Sequence, residues 1–133
     1  ASGLIDEQLD HEAIAAFREA IRIKPDDPQG YLNLGIALGK KGDVDEAVAA
    51  FRECLRFAPD ANVHYSLGGA LAQKGDRAGA IASYREAIRL DPNLATAHTN
   101  LGIELDALDP IVDEPGGIAT FLMAAEEGQL VFI

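Results

Sequence analysis

Cysteine is nearly absent from this chain. Cys54 stands alone, so no intrachain disulfide can form, and a reducing compartment such as the cytoplasm is the expected location. Long apolar runs are missing as well. No stretch is continuous enough to span a bilayer, which argues against direct membrane insertion. Basic residues stop early: residues 95–133 hold no Lys or Arg, but they do hold Glu104, Asp106, Asp109, Asp113, Glu114, Glu126 and Glu127. With a net charge of −11 the chain would repel phosphate backbones, so nucleic acid is not an expected partner. The acidic end reads as a solubilising surface, or alternatively as a docking patch for a basic partner.

Signatures of chemistry are missing too. There is no paired-cysteine zinc spacing, no Gly-rich phosphate loop and no GxSxG elbow. Gly68-Gly69 is a packing glycine and its neighbour. His64 and His98 share one register and are expected to pack inward, with no carboxylate or thiolate spaced to complete a metal site. Cys54 falls at a small inter-helix position with no basic group placed to lower its pKa, so an inert buried thiol is expected. The sequence therefore gives no catalytic residue, no metal ligand and no cofactor. The expectation is a chain that is not an enzyme.

What the chain does have is a repeat. Its 133 residues, 48% apolar and 25% charged, suit one soluble domain with a sizeable core. Ala13, Phe17, Ala20 and Pro25 return as Ala47, Phe51, Cys54 and Pro59, and again as Ala80, Tyr84, Ala87 and Pro92. Leu34-Gly35 returns as Leu67-Gly68 and Leu101-Gly102, and Gly42-Asp43 returns as Gly75-Asp76. Counting Pro28 as position 1, the residues at 4, 7, 8 and 11 (Tyr31, Leu34, Gly35, Leu38) fall on one side of a helix that turns about 100° per residue. They can pack on Ala47, Phe51 and Cys54 of a second helix. Gly42 is placed to end the first helix in a left-handed conformation, Asp43 to cap the second with Glu46 completing a capping box, and Pro59 to stop it.

Small residues at positions 8, 20 and 27, an aromatic at 24 and proline at 32, repeated three times in phase, resemble the tetratricopeptide-repeat family. The departures are Tyr or His at position 4, where the family often has Trp, and Leu at position 11, where it often has Tyr. The resemblance covers about residues 4–107. It implies an all-α, right-handed superhelical solenoid of antiparallel helix hairpins, about 3.5 repeats long, in one domain. Residues 4–27 form a partial first repeat, with residues 4–8 as the last turn of a helix and Asp10 capping the next. Residues 28–60 and 61–94 are the complete repeats. Residues 95–127 form a degenerate fourth: Gly117, Phe121 and Ala124 restore the small–aromatic–small spacing three residues late, on a helix over about 115–127. Residues 128–133 are an apolar tail. The open first repeat is the pattern of a piece cut from a larger protein.

Positions 2, 5, 6, 9, 12 and 13 of each first helix face away from the second helix. In a stacked array they line one concave groove. The candidate peptide-binding residues are Gln29, Leu32, Asn33, Ile36 and Lys40, then Asn62, Tyr65, Ser66 and Gln73, then Thr96, Thr99, Asn100 and Ile103. Their mixture of amides, hydroxyls and apolar groups suits an extended peptide, the amides bonding its backbone and the apolar groups holding its side chains. Asn33, Ser66 and Asn100 recur at position 6. This is similar to the asparagine ladder in the repeat arm of O-linked N-acetylglucosamine transferases, which implies contacts to a substrate backbone; Ser66, without an amide, departs from it. The alternative is that Asn there merely tolerates exposure. Chaperone-binding members use a clamp of Lys, Arg and Asn; here the only basic groove residue is Lys40 and there is no Arg, so that class is not expected.

The expected function is a non-catalytic module binding a protein or peptide. Two other readings remain open: the substrate-recruiting arm of a larger enzyme such as a glycosyltransferase, and a homo-oligomer built through the repeat ends or the tail. The tail Leu130–Ile133 is expected to pack on its own last helix or, alternatively, to dock into a groove or open end, its own or a neighbour's.

Overall fold

The computed structural model describes residues 2–107, with side-chain surroundings from residue 7 onward. These residues form six helices and no strand: α1 (Ser2–Ile23), α2 (Pro28–Lys41), α3 (Val44–Phe57), α4 (Ala61–Lys74), α5 (Arg77–Leu90) and α6 (Ala95–Ala107). Each helix packs on the one before it and the one after it, giving a helical solenoid of about three repeats. The expectations for the helix over 115–127 and for the tail lie outside the described residues.

Local signals account for most of the helix ends. Gly42 and Gly75 take φ of 98° and 94°, a region that a residue with a Cβ rarely enters. At the first of these, the Gly42 amide donates to Gly39 O at 3.1 Å and the Asp43 amide donates to Leu38 O at 2.9 Å. Two otherwise orphaned carbonyls of the last turn are thereby satisfied. Asp27 and Asp60 cap α2 and α4, their carboxylates accepting from the amides of Gln29 (3.0 Å) and Asn62 (2.8 Å). Asp76 does the same for α5, accepting from the Gly79 amide at 2.9 Å.

Two capping expectations are corrected. Asp43 stands at the N-cap of α3 but makes no side-chain cap bond. Its carboxylate pairs instead with Lys41 Nζ at 3.2 Å, and Glu46, the other half of the expected box, accepts from Arg18 of α1 at 2.9 Å. Cations lie within reach of both carboxylates here, and each side chain points to its cation rather than to the amides of α3. Asp10 caps nothing, because α1 runs unbroken from Ser2 to Ile23. In the 34-residue register Gln8-Leu9 stands where Gly42-Asp43 stands one repeat later. Without a glycine to take positive φ the helix continues.

The core is one continuous cluster running from Ile14 through Leu34, Leu38, Phe51, Cys54, Val63, Leu67 and Leu71 to Tyr84. At its centre the position-8 glycines of α2 and α4 each receive a ring. A Cβ built on Gly35 would lie 2.7 Å from the Phe51 ring, and one on Gly68 would lie 2.6 Å from the Tyr84 ring. Ala47 and Ala80 are fully buried beside them. Position 3, absent from the expected core, is also buried. Val63 and Ala97 retain 2% and 0% of their exposure, because that side of a first helix meets the preceding hairpin. The histidines divide. His64 is half-buried, and burial pulls its pKa below the ordinary value. His98 is exposed rather than core, its Nε2 lying 2.9 Å from the Pro92 carbonyl.

Candidate functional site

The first helices α2, α4 and α6 are spatial neighbours. Leu32 of α2 and Val63 of α4 line one hollow of about 240 Å³, together with Gln29, Cys54 and Asp60. Tyr65 of α4 and Asn100 of α6 are joined directly, the Asn100 amide donating to the Tyr65 hydroxyl at 3.2 Å. A second hollow of about 240 Å³ lies between α1 and α2. It is lined by the apolar Ala13, Phe17, Ile36 and Ala37 together with Asn33, Lys40 and Asp10. Candidate residues from α2 thus fall into two hollows, and the α4 and α6 candidates meet at one hydrogen bond.

Exposure sorts the same residues. Gln29, Lys40, Asn62, Gln73, Thr96 and Thr99 are exposed, whereas Leu32, Asn33, Tyr65, Ser66 and Asn100 are half-buried. Ile36 and Ile103 are large apolar side chains with 42% and 57% of their surface open to solvent. That arrangement, polar tips between partly exposed aliphatic groups, follows from the 100° step of the helix: positions 5, 6 and 9 share a side facing away from the second helix.

The two asparagines at position 6, Asn33 and Asn100, each have part of the side-chain amide engaged. Asn33 Oδ1 accepts from Gln29 Nε2 at 3.0 Å, one turn earlier on α2. Asn100 gives its Nδ2 to Tyr65. An amide carries two donors and one carbonyl acceptor, so these bonds leave donors at Asn33 and an acceptor at Asn100. Ser66 makes no side-chain bond of this kind among the described residues.

Tyr84 is the contributor that sequence reasoning missed. Its ring fills the space over Gly68, while its hydroxyl lies on the Gly69 side, 3.9 Å from where a Cβ on that groove glycine would be. Its ring centroid is 5.9 Å from that of Tyr65. Burial raises the Tyr84 pKa, and the nearby Asn100 side chain pulls it partly back. The signal was present in the sequence: position 24 is Phe in the preceding repeats and Tyr here, and a buried phenol needs a hydrogen-bond partner. Cys54 behaves as expected. It is 3% exposed, and burial pushes its thiol pKa up, with Asp60 adding to the effect. No cluster of His, Cys, Asp and Glu that could hold a metal occurs among the described residues. No described helix is long and apolar enough to cross a membrane.

An array of helix hairpins with a partly apolar, hydrogen-bonding side is the architecture of a protein-interaction module. Two family models match the chain, one described as tetratricopeptide repeat over residues 32–95 and one as TPR repeat over residues 10–42. The chain belongs to the tetratricopeptide-repeat family, whose repeats are generally non-catalytic interaction modules. No curated protein matches it by sequence. Among solved structures it is similar to MamA, at 23% identity with a TM-score of 0.73, over 77% of this chain and 61% of that one. An O-GlcNAc transferase mutant from Thermobaculum terrenum matches at 28% identity and a TM-score of 0.65, over 72% of this chain and 20% of that one. YrrB, described as a TPR protein with an unusual peptide-binding site, matches at 23% identity and 0.66, over 73% of this chain and 50% of that one. The chain therefore spans about three fifths of MamA and one fifth of the transferase.

Proposed function

We propose that this chain binds an extended segment of another protein along the side of α2, α4 and α6 that carries Asn33, Tyr65 and Asn100. The observation that carries the reading is the half-engaged state of the two asparagines. Asn33 keeps donors for a peptide carbonyl, and Asn100 keeps an acceptor for a peptide amide. Both amides are held in place by a neighbour, which lowers the ordering cost of binding. The hollow lined by Phe17 and Ile36 offers room for an apolar side chain beside Asn33. YrrB's description supports this reading at the level of the fold.

Selection from a library of displayed unstructured peptides, followed by titration of the selected sequence, tests it. Asn33→Ala with Asn100→Ala should weaken binding about tenfold or more, each lost bond contributing roughly 0.5–1.5 kcal/mol. Helicity and melting should stay close to those of the parent chain. Undiminished binding by the double variant would refute the assignment.

A second reading, the substrate-recruiting arm of a larger enzyme such as a glycosyltransferase, is favoured by the 28% identity to the O-GlcNAc transferase and by asparagine at position 6 of α2 and α6. The full-length reading frame decides it, since a catalytic domain beside the repeats would be visible at once.

A further inference from the structure

Gly102 sits on α6 where Gly35 sits on α2 and Gly68 on α4. The earlier two glycines each lie under a ring of the following helix, so close that an added Cβ would overlap it. A Cβ on Gly102 meets nothing among the described residues. Leu105, four residues before the register at which α2 and α4 end in glycine, is 38% exposed, whereas its counterparts Leu38 and Leu71 retain 2% and 3%. The other side of α6 is firmly seated. Ala97 is fully buried, and Arg77 of α5 reaches Glu104 at 3.2 Å and the Ala107 carbonyl at 3.4 Å. α6 is therefore a first helix docked on the array, with its second-helix side uncovered by the described residues.

The sequence after α6 carries a matching pattern. The buried positions of α3 include Ala47, Val48, Phe51 and Cys54, and those of α5 include Ala80, Ile81, Tyr84 and Ala87, with Ala50 and Ser83 also buried between them. Gly117, Ile118, Phe121 and Ala124 repeat that order at the same spacing: small, β-branched, aromatic, small. The connection from Ala107 to Gly117 can span about 33 Å when extended, several times the roughly 8–10 Å between packed helix axes. Pro110 falls within that connection and Pro115 at the first position of the 115–127 segment, where neither interrupts a helix interior.

We propose that residues 115–127 of this chain cover the open side of α6, with the Phe121 ring over Gly102, so that α6 becomes the first half of a fourth hairpin. Gly117 and Ala124 let the two backbones approach, and Ile118 takes the place of Val48 and Ile81. The inference stands apart from the peptide-binding reading. It bears on it only in that α6 holds Asn100.

The test is the sign of a glycine-to-alanine substitution in the full 133-residue chain. Gly35→Ala is the reference: its Cβ overlaps Phe51, and the melting midpoint should fall. If Phe121 is seated, Gly102→Ala should also lower the midpoint, by about 4–8 °C or more. In the Phe121→Ala background the same substitution should raise it, because alanine favours a helix interior over glycine when nothing overlaps it. Should Phe121→Ala fail to fold, Phe121→Leu supplies the same comparison with a slimmer side chain. A higher midpoint for Gly102→Ala in the parent chain would overturn the proposal. So would a lower midpoint that persists unchanged in the Phe121 variants. A midpoint that rises with protein concentration, in step with a doubled mass in sedimentation, would assign the face to a second copy and overturn it as well.

Discussion

The hairpins α2–α3 and α4–α5 have the same skeleton but face the groove differently. Both place a glycine under a ring, both turn on a left-handed glycine, and both open with an aspartate cap on the first helix. In α2–α3 the ring belongs to Phe51 and ends in the core. In α4–α5 it belongs to Tyr84, whose hydroxyl continues toward Gly69, Tyr65 and Asn100. One oxygen atom thus separates a residue that only builds the fold from one that also touches the candidate site. Core and groove are separable in the first hairpin and joined in the second.

The sharpest way to break this comparison is to remove each ring. Phe51→Ala and Tyr84→Ala should each cost about 3–5 kcal/mol, since both side chains are nearly fully buried. Chemical denaturation measures it, and a clearly smaller loss for one ring would mean that the two hairpins do not share a skeleton. Tyr84→Phe isolates the oxygen. It should change stability by no more than about 1.5 kcal/mol yet alter the affinity of a selected peptide, while α2–α3 offers no equivalent substitution.

The caps give a smaller contrast between the two hairpins. Asp60→Ala should cost about 1 kcal/mol, because its carboxylate accepts from two amides of α4. Asp43→Ala should cost clearly less, since it removes an exposed ion pair with Lys41 and no cap bond. Equal losses in thermal unfolding would contradict the observed geometry.

The smallest effect separates Tyr31 from His64, which share position 4. Burial lowers the folded-state pKa of His64 below its ordinary 6.5. The unfolded chain then binds the proton more readily, so His64 contributes stability that is present above pH 6.5 and lost as pH falls below it through the folded value. His64→Gln should flatten that part of the stability–pH curve. A curve of unchanged slope would assign the acid sensitivity to other groups.

Much of this molecule is written locally. The glycine stops at Gly42 and Gly75, the aspartate caps at Asp27 and Asp60, and the stripes that bury Leu34, Leu38, Ala47 and Phe51 each depend on residues within a few turns. Such signals can be read from spacing because a helix imposes its own period. The candidate site was legible as a set of positions, for the same reason: positions 5, 6 and 9 share a helix side whatever surrounds them.

Partner choice was not legible, because it depends on residues far apart in the chain. Glu46 could have capped its own helix, but α1 brings Arg18 within 2.9 Å. Asn100 could have kept its whole amide for a ligand, but α4 places the Tyr65 hydroxyl beside it. Val63 and Ala97 are buried because the preceding hairpin covers them, which no pattern within their own helices states. The sequence by itself determined the repeat, its breaks and the helix sides. Tertiary packing decided which polar groups are already occupied and which remain open to a partner, since hydrogen-bond competition is settled only when distant side chains meet.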